Sequence, residues 1–305
     1  MPLSINLIIC TYERNDLLDK LIDNIQRLEN ISDFIDVIIV NNSDAKLMLD
    51  RKMSNVKLNI NNYSEPTRGL SFARNTGLSH SKKEWLIFID DDTQVPEDFF
   101  AKALAIIEGN TFDCFGGMYY PWHPYGPSPR WLASDFGQKQ ALRSDRGTII
   151  PGGGGFLSAG VLAIKREVLL AVGGFNTSLG MNAQVGYGEE DELQLRLHHA
   201  GYKIGFDPDW WLYHAVLPHK YRLSWHLRSI YARARDAQRV LNNYSLPAII
   251  SYFLLVTLTA LVKRLPIVLF SLITRRNYYW QNALLEFVAP WLEWYGRFIG
   301  YFMAA

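Results

Sequence analysis

The chain has 305 residues, about twice the length of a typical domain, which allows one large α/β unit or a domain with an appendage. With 49% apolar and 20% charged residues its composition is globular, which excludes intrinsic disorder, collagen and coiled coil. The net charge of +1 provides no excess of cations for binding the phosphate backbone of a nucleic acid, so we expect no nucleic-acid partner.

The first hundred residues alternate between strand-like and helix-like patterns. Apolar runs rich in β-branched residues predict four strands, at Ile5–Cys10, Phe34–Val40, Val56–Ile60 and Trp85–Ile89. Apolar residues at three- and four-residue steps predict a helix from Leu17 to Leu28 with Asn15 as its N-cap. Further helices are predicted at Leu70–Leu78 and from Pro96 onward. Strands that alternate with helices predict a mostly parallel sheet covered on both faces.

The rest of the chain is less regular. Residues Gly116 to Gly160 show little periodicity and predict a long excursion from the sheet. Regular structure is predicted to resume in four segments, at Lys165–Val172, a helix Glu189–Ala200, a strand Lys203–His214 and a basic helix Ser224–Leu241. The two cysteines, Cys10 and Cys114, are too few for a disulfide framework and favour a reducing compartment. The N-terminal strand pattern lacks the features of a signal peptide.

Three consecutive carboxylates, Asp90, Asp91 and Asp92, directly follow the fourth predicted strand. Carboxylates crowded at a strand end repel one another unless a cation is supplied, so the pattern favours a divalent metal with oxygen ligands. The alternative is a solvated acidic turn. We favour the metal, because a parallel sheet binds ligands at the carboxyl ends of its strands.

A second acidic run, Glu189 to Glu192, opens a predicted helix. Acids at a helix N-terminus complement the helix dipole by about 0.3–1 kcal/mol each, which is the structural interpretation. Four acids in a row exceed that need, and the functional interpretation is a general base held over a cleft.

Three other polar side chains are candidates for the same site. Arg68 is suited to bidentate binding of a diphosphate, whereas Arg74 serves equally well as a ligand contact or as a brace between helix and sheet. His214 ends an aromatic strand, where it is either a core residue or a third metal ligand.

Several enzyme classes lose support because their motifs are absent. The sequence contains no G-x-G-x-x-G after a strand, no G-x-x-x-x-G-K-[ST], no H-E-x-x-H and no G-x-S-x-G. These absences count against hydride transfer, P-loop phosphoryl transfer, zinc peptidase and serine hydrolase chemistry.

Taken together, six short motifs resemble glycosyltransferase family 2, which has the GT-A fold. They are Ile8 to Arg14, Val40 to Ser43, Gly69 to Gly77, Asp90 to Asp92, Lys165 to Asn176, and Gly188 to Tyr202. The resemblance implies a bound nucleoside diphosphate-sugar, Mg²⁺ or Mn²⁺ at the aspartates, and inverting transfer to an acceptor hydroxyl.

The resemblance also implies roles for individual residues. The nucleotide-sugar pocket would include seven residues, Thr11, Tyr12, Arg14, Asn42, Arg68, Asp90 and Asp91. Within it Asn42 would face the base and Arg68 the diphosphate or base. The metal would be held by Asp90 and Asp92, with His214 as the third candidate ligand. Glu190 aligns with the family's catalytic base, and Asp191 is the alternative.

By this resemblance the chain is organised into three regions. Residues 1–218 would form the catalytic domain, with 1–115 for nucleotide-sugar and metal and 116–218 for the acceptor. Residues 219–245 would form a basic connecting helix, and 246–305 apolar membrane-associating helices. The expected activity is transfer from a UDP-sugar to a lipid-linked or surface glycan. The alternatives are a membrane-attached carbohydrate-binding scaffold without turnover, and a nucleotidyltransferase, whose glycine- and lysine-rich loop is missing.

The tail predicts attachment to a membrane. Leu246 to Val262 are 17 residues without a charge, and Lys263, Arg264 and Pro266 would interrupt a longer apolar run. This pattern favours a re-entrant pair of short helices over two full crossings. Aromatic residues near the end of the chain suit the headgroup boundary: Trp291, Trp294, Tyr295, Phe298 and Phe302. A set of cations suits anionic lipid or the diphosphate of a lipid-linked acceptor: Lys220, Arg222, Arg228, Arg233, Arg235 and Arg239. We expect a peripheral or monotopic protein on the cytoplasmic face of the inner membrane. The alternative is that these helices pack on the catalytic domain or form a homo-oligomer interface.

Overall fold

The computed structural model of the chain describes residues 4–28, 34–45, 58–132, 146–151, 157–181 and 185–304. The described residues fall into two compact units. The first lies within 1–122, 137–183 and 189–215, and the second within 123–136, 184–188 and 216–305.

The first unit is built on one sheet. Its nine described strands are β1 Ile5–Thr11, β2 Ile35–Asn41, β3 Asn59–Ser64, β4 Trp85–Asp90, β5 Thr93–Gln94, β6 Cys114–Trp122, β7 Gly147–Thr148, β8 Val161–Lys165 and β9 Ile204–Ala215. The strand order is β3-β2-β1-β4-β8-β6-β9-β5, with β7 beside β9. Strands β3, β2, β1 and β4 run parallel, as do β6 and β9, whereas β5, β7 and β8 pair antiparallel with their neighbours. The predicted α/β fold with a mostly parallel sheet is therefore confirmed.

Helices cover both faces of this sheet. They are α1 Asn15–Gln26, α2 Leu70–His80, α3 Phe99–Glu108, α4 Arg166–Ala171 and α5 Glu189–His199. On β1, Ile5, Leu7 and Ile9 join one core cluster with residues of α1 and α3. Ile8, on the opposite side of the strand, joins a second cluster with residues of α2, α4 and α5. A strand buried on both faces has a near-continuous apolar sequence, and in β1 the buried Asn6 interrupts the apolar run from Ile5 to Cys10.

Two predicted helix starts are wrong by a few residues. Arg14, not Asn15, is the N-cap of α1, because the carbonyl oxygen of Arg14 accepts the hydrogen bonds from Leu17 and Leu18. Helix α3 begins at Phe99 rather than at Pro96, because the Phe99 N–H closes a turn onto the Pro96 carbonyl.

Two predictions for strands also differ from the structure. Residues 56–57 of the predicted third strand lie outside the described residues, and β3 runs later, at Asn59–Ser64, in register with β2. This strand is at the edge of the sheet, where polar residues are tolerated and periodicity is weak. The predicted excursion from Gly116 begins as strand β6, which has a register shift against β9 between Gly117 and Met118. The shift hides the strand period in the sequence.

The second unit is helical. Its long helices are α6 Leu223–Leu241, α7 Leu246–Thr259, α8 Leu265–Thr274 and α9 Trp280–Ala304. A π-helical turn at Ala260–Arg264 joins α7 to α8, so Leu246–Thr274 is one apolar helix of 29 residues. The predicted break at Pro266 is wrong, because the wider turn just before it accommodates a residue without an N–H.

Helices α6 and α9 are in close contact inside the second unit. A Cβ added at Gly296 would lie 2.9 Å from the Cβ of Ala234, and one at Gly300 would lie 3.1 Å from that of Gln238. Of the predicted headgroup aromatics, Trp294 contacts Phe253 of α7 with ring centroids 4.5 Å apart. At least part of the aromatic stretch of α9 therefore packs within its own unit.

Candidate active site

The three aspartates lie where β4 ends and its chain turns into β5. Strand β4 runs between β1 and β8, and its last residue, Asp90, is paired with Cys10 of β1. Asp91 and Asp92 follow in the turn and are both buried. The Thr93 hydroxyl donates a hydrogen bond of 2.7 Å to the Asp90 carbonyl and closes this turn.

Antiparallel pairing of β5 with β9 brings a histidine to the aspartates. Thr93 is the register partner of His214, and the Ala215 N–H donates to the Asp92 carbonyl at 2.8 Å. His214 Nε2 then lies 3.4 Å from Asp90 Oδ2 and 3.4 Å from Asp92 Oδ1. One ligand atom from each of the three residues lies within 4.8 Å of the others.

This cluster fits a divalent cation. His214 Nδ1 is 3.1 Å from the Ala215 carbonyl, and donation there leaves the Nε2 lone pair directed at the aspartates, the usual arrangement of a metal-binding histidine. Asp92 Oδ1 is buried and has no hydrogen-bond partner among the described residues. Two carboxylates and an imidazole are a donor set for Mn²⁺ or Mg²⁺. Behind Asp90, a Cβ on Gly160 would lie 2.7 Å from Oδ2, so the glycine leaves room for the carboxylate.

Charges around Asp90 favour its ionised form. Burial works to raise the pKa of Asp90, but its interaction with His214 and the positive charge of Arg74 outweigh burial and hold that pKa below its ordinary value. Asp90 is therefore a carboxylate that is available to a cation at neutral pH.

Asp91 is held on the side toward β1. Its Oδ2 accepts a 2.7 Å hydrogen bond from the Thr11 hydroxyl and its Oδ1 a 2.9 Å bond from Arg14 Nη1, which also lies 3.2 Å from Asp92 Oδ2. Burial raises the pKa of Asp91 to about 7, and the adjacent carboxylates add to the rise against the opposing charge of Arg14. Thr11 and Arg14 of the β1 end thus hold Asp91 in place beside the cluster of Asp90, Asp92 and His214.

Buried Arg74 connects the aspartates to the acidic helix α5. Its Nη1 donates to Glu189 Oε1 at 3.0 Å, and its Nη2 is 3.6 Å from Asp90 Oδ1. Of the two interpretations of Arg74, the structure supports the brace.

The four acids that open α5 have different surroundings. Burial and the neighbouring Glu190 raise the pKa of Glu189 well above its ordinary value, although Arg74 opposes this. Glu189 is therefore protonated more readily than an ordinary carboxyl. Glu192 is bound to Arg196 at 2.7 Å. Glu190 and Asp191 are half-buried.

Tyr12 and Arg68 lie together beyond β1. The Arg68 guanidinium is 4.6 Å from the centroid of the Tyr12 ring, and Arg68 is exposed. Asn42 holds the turn that carries Arg68. Its amide nitrogen donates to the carbonyls of Glu65 and Thr67 at 2.8 Å each, and its Oδ1 accepts the Gly69 N–H at 2.7 Å. Both amide hydrogens of Asn42 are thus used inside the protein.

Comparison with known proteins identifies the family of the chain. The sequence model for Glycosyl transferase family 2 matches residues 6–172, more than half of the chain. The chain belongs to glycosyltransferase family 2. The match includes the three aspartates and the segments that brace them, and the enzyme is accordingly a transferase.

Two sequence relatives of this glycosyltransferase are a polysaccharide biosynthesis protein and another glycosyltransferase. It is 26% identical over 232 residues to the succinoglycan biosynthesis protein ExoM of Rhizobium meliloti, covering 73% of this chain and 70% of the relative. It is 25% identical over 180 residues to an uncharacterized glycosyltransferase of Haemophilus influenzae, covering 57% of each chain.

Solved structures show the same fold. The mannosyltransferase PcManGT from Pyrobaculum calidifontis, in complex with GDP-Man and Mn²⁺, has a TM-score of 0.63 at 16% identity, covering 95% of this chain and 86% of that one. S. aureus TarS 1-349 in complex with UDP-GlcNAc has a TM-score of 0.56 at 15% identity, covering 98% and 89%. At such low identity the likeness concerns the GT-A fold alone.

Sequence reasoning missed several parts that support the glycosyltransferase site. Gln194 of α5 accepts from the Leu157 N–H at 2.7 Å and donates to the Leu157 carbonyl at 3.0 Å, which ties α5 to the chain before β8. Strand β8 itself has a sequence signal, the apolar run from Val161 to Ile164. The Gln194 bonds have none, because a single glutamine in a helix does not identify its distant partner.

Proposed function

We propose that this glycosyltransferase moves a sugar, with inversion, from a nucleoside diphosphate-sugar to an acceptor hydroxyl, with Mn²⁺ or Mg²⁺ held by Asp90, Asp92 and His214. The carrying observation is the cluster of these three side chains, whose ligand atoms lie within 4.8 Å of one another, with a buried Asp92 oxygen that lacks a hydrogen-bond partner among the described residues. The metal, when bound, would stabilise the negative charge of the departing diphosphate.

Residues of the chain supply the other roles. We assign the general base to Glu190, with Asp191 as the alternative, because both are at the start of α5 and half-buried. Arg74, which donates to the neighbouring Glu189 at 3.0 Å, would place a positive charge near the Glu190 carboxylate. Removal of the acceptor proton by this carboxylate prepares the hydroxyl for attack on the sugar.

The donor's nucleotide would lie against Tyr12 and Arg68. The guanidinium stacked at 4.6 Å over the ring supports a base and diphosphate contact at this point. Asn42 would act by holding the Arg68 turn, since its amide hydrogens are already donated. Thr11, Arg14 and Asp91 would border the pocket as a brace. A UDP-sugar is our first candidate, and the ligands UDP-GlcNAc of TarS and GDP-Man of PcManGT support the donor class.

A donor screen tests this assignment. We expect a nucleoside diphosphate-sugar to raise the melting temperature and to be slowly hydrolysed in the presence of Mn²⁺ or Mg²⁺, with UDP-sugars ahead of GDP- and dTDP-sugars. Arg68→Ala should raise the donor KM about tenfold, since it removes a charged contact of about 1.5 kcal/mol. Lys20→Ala on α1 is the matched control for loss of an exposed cation. Stabilisation without turnover of any donor would favour the carbohydrate-binding scaffold instead.

We also propose that the second unit attaches to a membrane and that Leu246–Thr274 lies in the plane of the lipid surface. Apolar side chains are exposed over most of the surface of this helix. One set, the apolar stripe, lies at steps of four and three residues and is formed by Ile250, Leu254, Leu258, Leu261, Leu265, Leu269 and Leu272. A second exposed set beside it is formed by Leu255, Val262, Ile267, Phe270 and Ile273. The exposed cations Lys263 and Arg264 lie off this stripe, near the middle of the helix. A crossing would place both near the bilayer centre at about 2.5–3.5 kcal/mol each, whereas an in-plane helix keeps them at the headgroups.

The acceptor would then be a lipid-linked or surface glycan, and the name of the succinoglycan biosynthesis relative supports this class. The free thiols of Cys10 and Cys114 support a reducing compartment and hence the cytoplasmic face. Of the six basic residues predicted to grip anionic lipid, Arg235 and Arg239 are paired with Asp236, which leaves fewer for lipid.

Vesicle binding tests the in-plane helix. Full-length protein should pellet with vesicles that contain anionic lipid and be released by alkaline carbonate, which does not extract a crossing helix. Leu254→Glu with Leu258→Glu should abolish pelleting, because two charges would enter the apolar side. Leu241→Glu, an exposed leucine outside the stripe, is the control. A soluble dimer that the double variant disrupts, without vesicle binding, would instead identify the stripe as a homo-oligomer interface.

A further inference from the structure

The second unit contains a carboxylate that neither the proposed chemistry nor membrane attachment uses. Asp236, on α6, is 1% exposed. Its Oδ1 accepts hydrogen bonds from Arg235 Nε at 2.8 Å and Arg239 Nη1 at 3.3 Å, and its Oδ2 accepts one from Arg235 Nη2 at 2.7 Å. A buried carboxylate is costly unless it is paired and hydrogen-bonded, and Asp236 has both kinds of partner.

The remaining bonds of this group go to one short segment, residues 185–188. The Tyr187 N–H donates to Asp236 Oδ2 at 3.0 Å, and Arg235 Nη2 donates to the Val185 carbonyl at 3.2 Å. The Tyr187 hydroxyl lies 2.6 Å from Ser229 Oγ, and the Arg233 guanidinium is 5.1 Å from the Tyr187 ring.

Close packing completes the attachment. Gly188 has a φ of +90°, and a Cβ at this position would lie 3.1 Å from Val240 Cγ2. Only glycine adopts this backbone conformation without strain. Segment 185–188 is therefore held by backbone bonds, a side-chain bond and a steric fit, all on α6.

This segment ends one residue before Glu189, the first residue of α5, and two before Glu190. The backbone that enters α5 determines where the first side chains of the helix point. A displacement of about 1 Å at a reacting group costs about a hundredfold in rate.

We infer that Asp236 and Arg235 are positioning residues of the transfer reaction, which hold the backbone at residues 185–188 and thereby orient the Glu190 carboxylate. This inference rests on the proposed role of Glu190. It implies that the helical second unit contributes to turnover and not only to attachment.

The test compares Asp236→Asn with Asp113→Asn in the full-length protein. Asp113 is a matched control, because its carboxylate also accepts a backbone N–H, from Lys203 at 2.9 Å, and a cation, Lys165 at 2.9 Å. We expect Asp236→Asn to lower kcat about ten- to a hundredfold with donor KM within twofold of wild type. Asp113→Asn should change neither.

Hydrogen exchange provides a readout that needs no activity. The peptide with residues 185–190 should exchange faster in Asp236→Asn than in wild type and Asp113→Asn. Arg235→Lys keeps the charge but removes the bond to Val185, so it should give a smaller effect of the same kind and serves if Asp236→Asn does not fold.

The outcomes separate this inference from the proposed function. Faster exchange at 185–190 with unchanged kcat would overturn the positioning role, as would a lower melting temperature with unchanged kcat below it. If Glu190→Gln retains full activity while Asp236→Asn loses it, the segment positions another group and the assignment of the base fails instead.

Discussion

Asp92→Ala is expected to abolish sugar transfer and to leave the fold intact. The buried Asp92 carboxylate supplies one of the three clustered ligand atoms, and without it the donor's diphosphate charge would face Asp90 and Asp91 with a weakly held cation. The fold should survive, because Arg14 keeps its 2.9 Å bond to Asp91. Removal of the Asp92 charge also lowers the repulsion that helps to raise the pKa of Asp91.

Transfer by wild type, Asp92→Ala and Asp98→Asn should be measured with added Mn²⁺ or Mg²⁺ and in excess EDTA. Asp98 is a suitable control, because it is an exposed acid of the same unit that pairs with Lys102 at 2.7 Å. We expect at least a thousandfold loss for Asp92→Ala and for wild type in EDTA, with a melting temperature close to wild type for the variant. Full activity of wild type in EDTA would refute the metal.

The second large effect is expected at Glu190. Glu190→Gln preserves shape and hydrogen bonding but removes basicity, so kcat should fall by about 10²–10⁴ while donor affinity is retained. Glu189→Gln should affect stability as well, because Glu189 is buried against Arg74 at 3.0 Å. The melting temperature therefore distinguishes the two variants: it should fall in Glu189→Gln and stay close to wild type in Glu190→Gln.

Two neighbouring variants complete this experiment. Glu192→Gln is the control on the same helix, because Glu192 is an acid that is bound to Arg196. This variant should lower stability somewhat and change kcat little. Asp191→Asn tests the alternative base. A large loss with Asp191→Asn and none with Glu190→Gln would move the assignment by one residue.

The sequence alone was sufficient to predict the fold class, and it also indicated which polar residues form the candidate site. Three of the strands, β1, β2 and β4, were visible as apolar runs. The polar groups after these strands had to converge, because the carboxyl ends of parallel strands meet at one edge of the sheet. For His214 the sequence left two interpretations, a core residue or a third metal ligand, and the structure brings its side chain together with those of Asp90 and Asp92. Their role as metal ligands remains a proposal.

Other features required the tertiary structure. Local periodicity cannot specify which distant side chain satisfies a buried charge or amide, and for that reason the Arg74 bond to Glu189 and the three bonds of Asn42 were not predicted. The helix Leu246–Thr274 is continuous because of a π-helical turn at Ala260–Arg264, and no residue pattern predicts such a turn. The bond between the Tyr187 N–H and Asp236 likewise joins segments far apart in the sequence. Sequence determines where charged groups occur, whereas folding determines which of them meet, because burial forces each charge to find a partner.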